Sequence, residues 1–181
     1  MPLPDLRADC SRCAALCCVA FAFDRSAEFG FDKPAATPCR HLGGNDRCRI
    51  HGDLHAQGFS GCVAYDCHGA GQRVVQEVFD GRSWREDPAL AREMFDAFRA
   101  LRKIHEWLLL LGAATRLPLD AEEAARRAAL EAALTPAAWT PASLAAFERG
   151  TLGPQVRAFL HGLRRHIAND EAVTSRTAGR T

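Results

Sequence analysis

The second half of the chain carries a hydrophobic pattern that is typical of helices. Over residues 90–108, apolar side chains recur at three- and four-residue spacing, which predicts a long helix with one buried face. Asp87 followed by Pro88 supplies an N-cap and a first-turn proline for this helix, which is predicted to end near Gly112. His105 lies on the apolar face, and we expect a core histidine with a local hydrogen bond there.

Several shorter helices are predicted around the long one. Residues 71–79 are expected to form one short helix, and Asp120 with Glu123 forms a capping-box pattern that opens another to about residue 134. Thr140 before Pro141 predicts a third. A last helix is marked by apolar residues at Val156, Phe159, Leu160, Leu163 and Ile167.

The first part of the chain has a different character. Residues 20–67 are rich in Gly, Pro and Asp and show little sustained periodicity, so they cannot easily bury a core of their own. All eight cysteines of the protein lie in the first 67 residues: Cys10, Cys13, Cys17, Cys18, Cys39, Cys48, Cys62 and Cys67. The predicted fold is therefore mainly α, with a cysteine-rich, loop-dominated metal-binding module (residues 1–70) packed on a helical bundle (residues 71–168), followed by a flexible tail (residues 169–181).

Charge and hydropathy narrow the classes of function. A net charge of +1 is not typical of a nucleic-acid binder. The longest apolar run, residues 107–112, is too short to span a bilayer, and the first residues do not resemble a secretory signal. These features predict a cytoplasmic protein without a membrane or nucleic-acid partner. In a reducing compartment, clustered cysteines indicate metal ligation or redox chemistry rather than disulfides.

The cysteines fall into three motifs. Cys10-x2-Cys13-x3-Cys17-Cys18 would place all four sulfurs on one face if the segment were helical. Cys39 and Cys48 flank a turn-like Gly-Gly-Asn-Asp segment that would bring two thiolates together, and Cys62-x4-Cys67 forms the third motif. His51, three residues after Cys48, is the best additional ligand. The predicted metal ligands are thus the eight cysteines and His51.

Thiolate sets of this kind suit zinc, iron–sulfur clusters or Cu(I). Eight thiolates exceed what one tetrahedral ion or one cubane needs, so either two sites exist or some cysteines are redox-active or structural. The residues alone are compatible with three functions. One is a metal-binding protein with an iron–sulfur cluster or iron site. The second is a structural or trafficking zinc protein that contacts a protein or peptide partner through its helices. The third is a metal-dependent enzyme that modifies a peptide or small molecule.

The order of the motifs resembles a known family. The CxxCxxxCC run, followed by Thr37-Pro-Cys39, Arg47-Cys48-Arg-Ile-His51 and Gly61-Cys62, is similar to the YkgJ-type cysteine-cluster proteins, which are described as zinc- or iron-chelating. The resemblance covers roughly residues 8–70 and implies metal binding by the CxxCxxxCC run, Cys39, Cys48 and Cys62. Relatives that methylate flagellin lysines are associated with an iron–sulfur cluster, so the resemblance favours iron, as a 4Fe–4S cluster, over zinc.

The chain departs from this family pattern at two places. His51 stands where the family usually has tyrosine, and Phe59-Ser-Gly-Cys62 replaces the common Arg-Pro pair before the cysteine. Residues 61–72 look closer to a bacterial subgroup in which the module precedes pentapeptide repeats. This chain contains no such repeats, so their function is not carried over.

Overall fold

The computed structural model describes residues 4–166 of the chain. This range is mainly helical and contains no β-strand, although two isolated antiparallel bridges join Phe23 to Lys33 and Leu42 to Cys48. The helices are α1 (Leu16–Ala20), α2 (Ser60–Ala64), α3 (Ala70–Arg73), α4 (Ala91–Ala113), α5 (Ala121–Ala133), α6 (Pro141–Arg149) and α7 (Leu152–Gly162). The prediction of a mainly helical fold is confirmed. The predicted tail at residues 169–181, and Ile167, lie outside the described residues.

The long helix α4 forms where the sequence predicts it. The Asp87 side chain accepts a hydrogen bond from the Ala89 N–H at 3.1 Å, and Pro88 opens a 3₁₀ turn, Pro88–Leu90, that leads directly into α4. The helix ends at Ala113, one residue beyond the predicted end. None of the helices within residues 4–166 has the length and apolar character that crossing a bilayer requires.

The two later helix starts are fixed by reciprocal capping. The Glu123 N–H donates to the Asp120 side chain at 2.8 Å, and the Asp120 N–H donates back to Glu123 at 3.1 Å. Thr140 and Ser143 repeat the arrangement at the start of α6. The predicted capping box at Asp120 and the predicted start at Thr140 are both confirmed, because these hydrogen bonds depend only on residues three positions apart.

The short helix α3 continues as a π-helical turn, Val74–Val78, so the helix predicted over residues 71–79 is present. It begins after Gly69, whose φ of 77° lies in the left-handed region that glycine tolerates. A Cβ at Gly69 would lie 2.7 Å from the carbonyl oxygen of Asp5. Glycine therefore lets the N-terminal segment pass close to the start of α3.

One hydrophobic core joins the cysteine-bearing segment to the helices. It contains Leu16 and Val19 from α1, Val74 from the π-helical turn, and Phe98 and Leu101 from α4, all at most 1% exposed. Burial of each such side chain contributes about 1.5–3 kcal/mol to folding. The loops that carry the thiols are thus anchored on the same core that holds α4 in place.

Candidate metal centre

The CxxCxxxCC run is not a single helix. The Arg12 N–H donates to the Asp9 carbonyl at 3.2 Å, and the Asp9 side chain accepts from the Ser11 N–H at 2.8 Å, so Cys10 and Cys13 lie in a turn. Ala15 then adopts a left-handed conformation with φ 52°, and α1 begins only at Leu16. The interpretation of all four sulfurs on one helix face is wrong, because a left-handed residue cannot continue a right-handed helix.

The turn that carries Cys10 and Cys13 is held by side chains from farther along the chain. The Gln72 amide donates to the Arg7 carbonyl at 2.7 Å and accepts from the Asp9 N–H at 3.1 Å. The Gln76 amide donates to the Arg12 carbonyl at 3.1 Å. These amides satisfy backbone groups of a segment that has no regular structure of its own. The position of Cys10 and Cys13 is therefore set by α3 and the π-helical turn.

A hairpin positions Cys39 and Cys48. The Gly43 N–H donates to the Arg47 carbonyl at 2.8 Å, and Leu42 and Cys48 form an antiparallel bridge. The Cys39 N–H donates to the Cys18 carbonyl at 2.9 Å, which ties this hairpin to the end of the CxxCxxxCC run. The turn predicted between the two cysteines is present.

The third motif spans α2 and the segment after it. Cys62 lies on α2, which ends at Ala64, and the Cys67 carbonyl accepts from the Ala70 N–H at 3.0 Å at the start of α3. His51 lies in the exposed 3₁₀ turn His51–Asp53, where its backbone N–H donates to the Cys48 carbonyl at 3.3 Å. Its role as a ligand stays a prediction.

The adjacent residues Cys17 and Cys18 stand where the motifs meet. Their sulfurs are 3.9 Å apart, within the distance of a thiol hydrogen bond in which either sulfur can be the donor. This hydrogen bond, together with partial burial, raises the pKa of Cys17, and it lowers the pKa of Cys18. The positive charge of Lys33 lowers the pKa of Cys18 further. Cys18 is therefore the better thiolate of the pair.

The other thiols gather on either side of this pair. Burial, with smaller contributions from the neighbouring thiols of Cys18, Cys39 and Cys48, raises the pKa of Cys62 to about 11. We call this set the outer thiols: Cys18, Cys39, Cys48 and Cys62.

Burial also raises the pKa of Cys13 to about 12, with smaller contributions from Cys67 and Cys10. Three thiols pack against the hydrophobic core and are called the core-side thiols: Cys13, Cys17 and Cys67.

Cys10 is the eighth cysteine and lies at the surface. It is exposed, and its pKa is raised by partial burial and then by the neighbouring thiol of Cys67. Cys10 therefore adjoins the core-side thiols from the solvent side. Four thiols thus form the outer group, and Cys10 joins the three core-side thiols.

Lys33 is a buried cation beside the outer thiols. Only 4% of the residue is exposed, and its ammonium group donates to the carbonyls of Val19 and Pro34, each at 3.1 Å, and to the Phe21 carbonyl. Burial lowers the pKa of Lys33, whereas the thiols of Cys39 and Cys18 oppose that change. Lys33 was not predicted from the sequence, since nothing in its local pattern separates it from an ordinary surface lysine.

Tyr65 is a second residue near the thiols that was not predicted from the sequence. It lies between Cys62 and Cys67, and its hydroxyl is shielded from solvent. It is the only tyrosine of the chain and falls inside the third cysteine motif, a signal that was available in the sequence. His105, by contrast, is fully buried and hydrogen-bonded, as predicted.

The thiols have the chemistry that thiophilic metals prefer, but in the described part of the chain they do not form a closed metal site. All eight cysteines are free, and soft thiolates select zinc, Cu(I) or iron–sulfur clusters. Within residues 4–166, no three Cys, His, Asp or Glu side chains converge closely enough to hold one ion. The thiols are therefore neighbours that would have to draw together around a metal.

We expect Gly71→Ala to lower the free energy of unfolding by about 1 kcal/mol, because a Cβ at Gly71 overpacks the site. It would lie 2.5 Å from the Cys13 sulfur and 3.3 Å from the Cys13 Cβ. Urea unfolding measures the loss, and reaction with a thiol reagent reports the displacement of Cys13. Gly112→Ala on α4 is the control, since a Cβ there meets no atom within 4 Å. Gly112→Ala should stabilise the protein, as alanine does in helices. Equal stabilisation by both variants would contradict the close approach at Cys13.

Comparison with known proteins gives one relative of undescribed function. No protein-family model matches the chain, and no solved structure matches it. The chain is 50% identical over 107 residues to a Bacillus subtilis (strain 168) protein described as uncharacterized protein YybG. The match covers 59% of this chain and 38% of YybG, so the chain spans well under half the length of that relative.

Proposed function

We propose that this protein binds a metal through its clustered thiolates, as an iron–sulfur cluster or an iron site with redox-linked activity. Support comes from three cysteine motifs, distant in sequence, whose thiols are neighbours on either side of the adjacent pair Cys17 and Cys18. Their 3.9 Å separation is close to the roughly 3.8 Å between two thiolates on a tetrahedral ion with metal–sulfur bonds of about 2.3 Å. The resemblance to the YkgJ-type cysteine-cluster proteins points to the same function.

The charges around the thiols also favour metal binding. Several thiolates in one place repel each other, and the buried ammonium of Lys33 offsets part of that repulsion at Cys18 and Cys39. The raised pKa values of Cys13 and Cys62 mean that these thiols lose protons when a metal binds. Metal affinity is therefore expected to fall as the pH is lowered.

The protein's own residues have distinct roles in such a site. The outer thiols are held by α1, the hairpin and α2, and the core-side thiols pack against the hydrophobic core. The exposed Cys10 leaves a solvent-accessible edge. An iron–sulfur cluster, when bound, supplies one-electron transfer. The same thiols suit zinc, and the alternative is a zinc protein with a structural or trafficking role.

The proposal is tested by metal and sulfide analysis of the full-length protein purified without oxygen. We expect a coloured protein that contains iron, together with acid-labile sulfide if a cluster is bound. Cys62→Ser should lose most of the metal. Val63→Ser is the matched control, because Val63 is the next residue on α2 and is 57% exposed. It should keep the metal.

Two results of the metal analysis would contradict the proposal. A colourless anaerobic preparation with stoichiometric zinc would overturn the iron assignment and support the zinc alternative. A preparation without any bound metal, which also fails to take up iron or zinc under reducing conditions, would overturn metal binding as a whole.

A further inference from the structure

Tyr65 occupies an unusual position among the cysteines. It is the residue at which α2 ends, three positions after Cys62 and two before Cys67. Its ring packs edge-on against Phe21 with a centroid distance of 5.7 Å, and the Arg102 guanidinium lies 5.8 Å from the ring centre. These contacts fix the direction in which the hydroxyl points.

The Tyr65 hydroxyl is buried without a hydrogen-bond partner among the described residues. Buried polar groups in native proteins are nearly always hydrogen-bonded, because an unpaired one loses its contacts with water and gains nothing in return. The ring packs against the hydrophobic core, so the hydroxyl cannot turn to solvent without loss of that contact. Because this hydroxyl lies in the third cysteine motif, its missing partner can be a thiol that changes its charge when a metal binds.

The surroundings of the hydroxyl identify that partner. Tyr65 stands two residues before Cys67, and three thiols lie in its neighbourhood: Cys17, Cys67 and Cys13. These are the core-side thiols, which pack against the same hydrophobic core as Tyr65. A phenol is protonated at physiological pH and is therefore available as a donor. A neutral thiol accepts a hydrogen bond only weakly, whereas a metal-bound thiolate carries negative charge and accepts well.

We infer that the Tyr65 hydroxyl donates a hydrogen bond to a metal-bound thiolate of the core-side set, Cys13, Cys17 and Cys67. The inference rests on the proposed metal binding and adds a residue that tunes it. A donor in this position holds the sulfur in orientation and draws electron density from it. Groups that hydrogen-bond to metal ligands typically change metal affinity by about 10–100-fold.

The test is Tyr65→Phe in the full-length protein, which removes only the hydroxyl. Each protein is reduced, freed of metal with a chelator and titrated with Co²⁺ against a competing chelator. We expect the Co²⁺ affinity to fall about tenfold. The sulfur-to-cobalt charge-transfer bands should shift to longer wavelength, because the sulfur lone pairs rise in energy without the hydrogen bond. The metal-free variant should unfold at the same urea concentration as the wild type or a higher one, since the hydroxyl has no partner to lose.

Trp139→Phe is the matched control. The Trp139 indole N–H is also buried without a partner among the described residues, and its ring packs against Phe147 at 6.0 Å. It lies outside the cysteine motifs. We expect its Co²⁺ affinity and spectrum to match those of the wild type.

A second measurement does not depend on the variant. Since Tyr65 is the only tyrosine, growth on 3-fluorotyrosine places one fluorine label at this residue in the wild-type sequence. The ¹⁹F signal should move when Zn²⁺ is added to the reduced protein. Wild-type protein that binds neither Co²⁺ nor Zn²⁺ would refute the proposed metal binding. Binding with an unmoved ¹⁹F signal, or a Tyr65→Phe protein with unchanged affinity and spectrum, would refute the role of Tyr65 and leave the metal site standing.

Discussion

Phe98→Ala is expected to lower the free energy of unfolding by about 3–5 kcal/mol, as large-to-small changes of buried aromatic residues do. Phe98 lies on α4, is 0% exposed, and packs against the Phe21 ring with a centroid distance of 5.5 Å. It also lies beside Gly71, where the Cys13 turn approaches α3. The cavity would thus open between α4 and the cysteine-bearing segment. Urea unfolding followed by circular dichroism, with chelator present, measures the loss.

The control for Phe98 lies on the same helix. Leu110 is 45% exposed, so Leu110→Ala should cost less than about 1 kcal/mol. We also expect the thiols of Phe98→Ala to react faster with a thiol reagent, since the cysteine-bearing segment loses part of its anchor. Similar losses of stability in both variants would argue against a core shared by α4 and the cysteine loops.

The second large effect is an acid-dependent loss of stability through His105. This residue is fully buried on α4; its Nδ1–H donates to the His68 carbonyl, and its Nε2 accepts from Arg73 at 3.2 Å. Burial lowers the pKa of His105 to about 4. The hydrogen bond to His68 and the charge of Glu77 oppose that shift, and the charge of Arg73 adds to it.

The direction of the effect follows from the lowered pKa. In the unfolded chain the pKa is about 6.5, so the native state favours the neutral ring. The stability this provides is fully present above about pH 6.5 and is lost as the pH falls to about 4. The total is roughly 3 kcal/mol, from 1.36 kcal/mol for each unit of pKa difference.

Urea unfolding of the chelated protein across this pH range tests the effect. His105→Gln should be less stable than the wild type near neutral pH, because the contacts with His68 and Arg73 are disturbed. Its stability should then depend less on pH, and the two proteins should converge toward about pH 4. His55→Gln replaces an exposed histidine and should follow the wild-type curve. Parallel curves for His105→Gln and the wild type would contradict a buried neutral His105.

The helical elements were predictable because their signals are local. Asp87, Asp120 and Thr140 each accept hydrogen bonds from backbone groups two or three residues ahead, so the short sequence around each residue contains both partners. The buried face of α4 follows from spacing alone, and His105 was correctly predicted to be a core residue. The helix predicted over residues 71–79 needed only a local apolar pattern.

For the cysteine segment, the sequence predicted the chemistry of the side chains but not the conformation of the backbone. Its motifs indicate thiolate chemistry, yet the helix expected for the CxxCxxxCC run is replaced by a turn and a left-handed Ala15. That backbone is stabilised by the amides of Gln72 and Gln76, which lie about sixty residues away. Local propensity cannot anticipate a conformation whose hydrogen-bond partners come from another element.

By itself, the sequence determined the mainly helical fold, the boundaries of its capped helices and the supply of eight thiols near one end of the chain. Only the tertiary structure decided how those thiols divide around Cys17 and Cys18, and that Lys33 and Tyr65 lie among them. The reason is physical. Capping and periodicity depend on residues within a few positions of each other, whereas the burial of an ammonium or a hydroxyl depends on which distant segments pack over it.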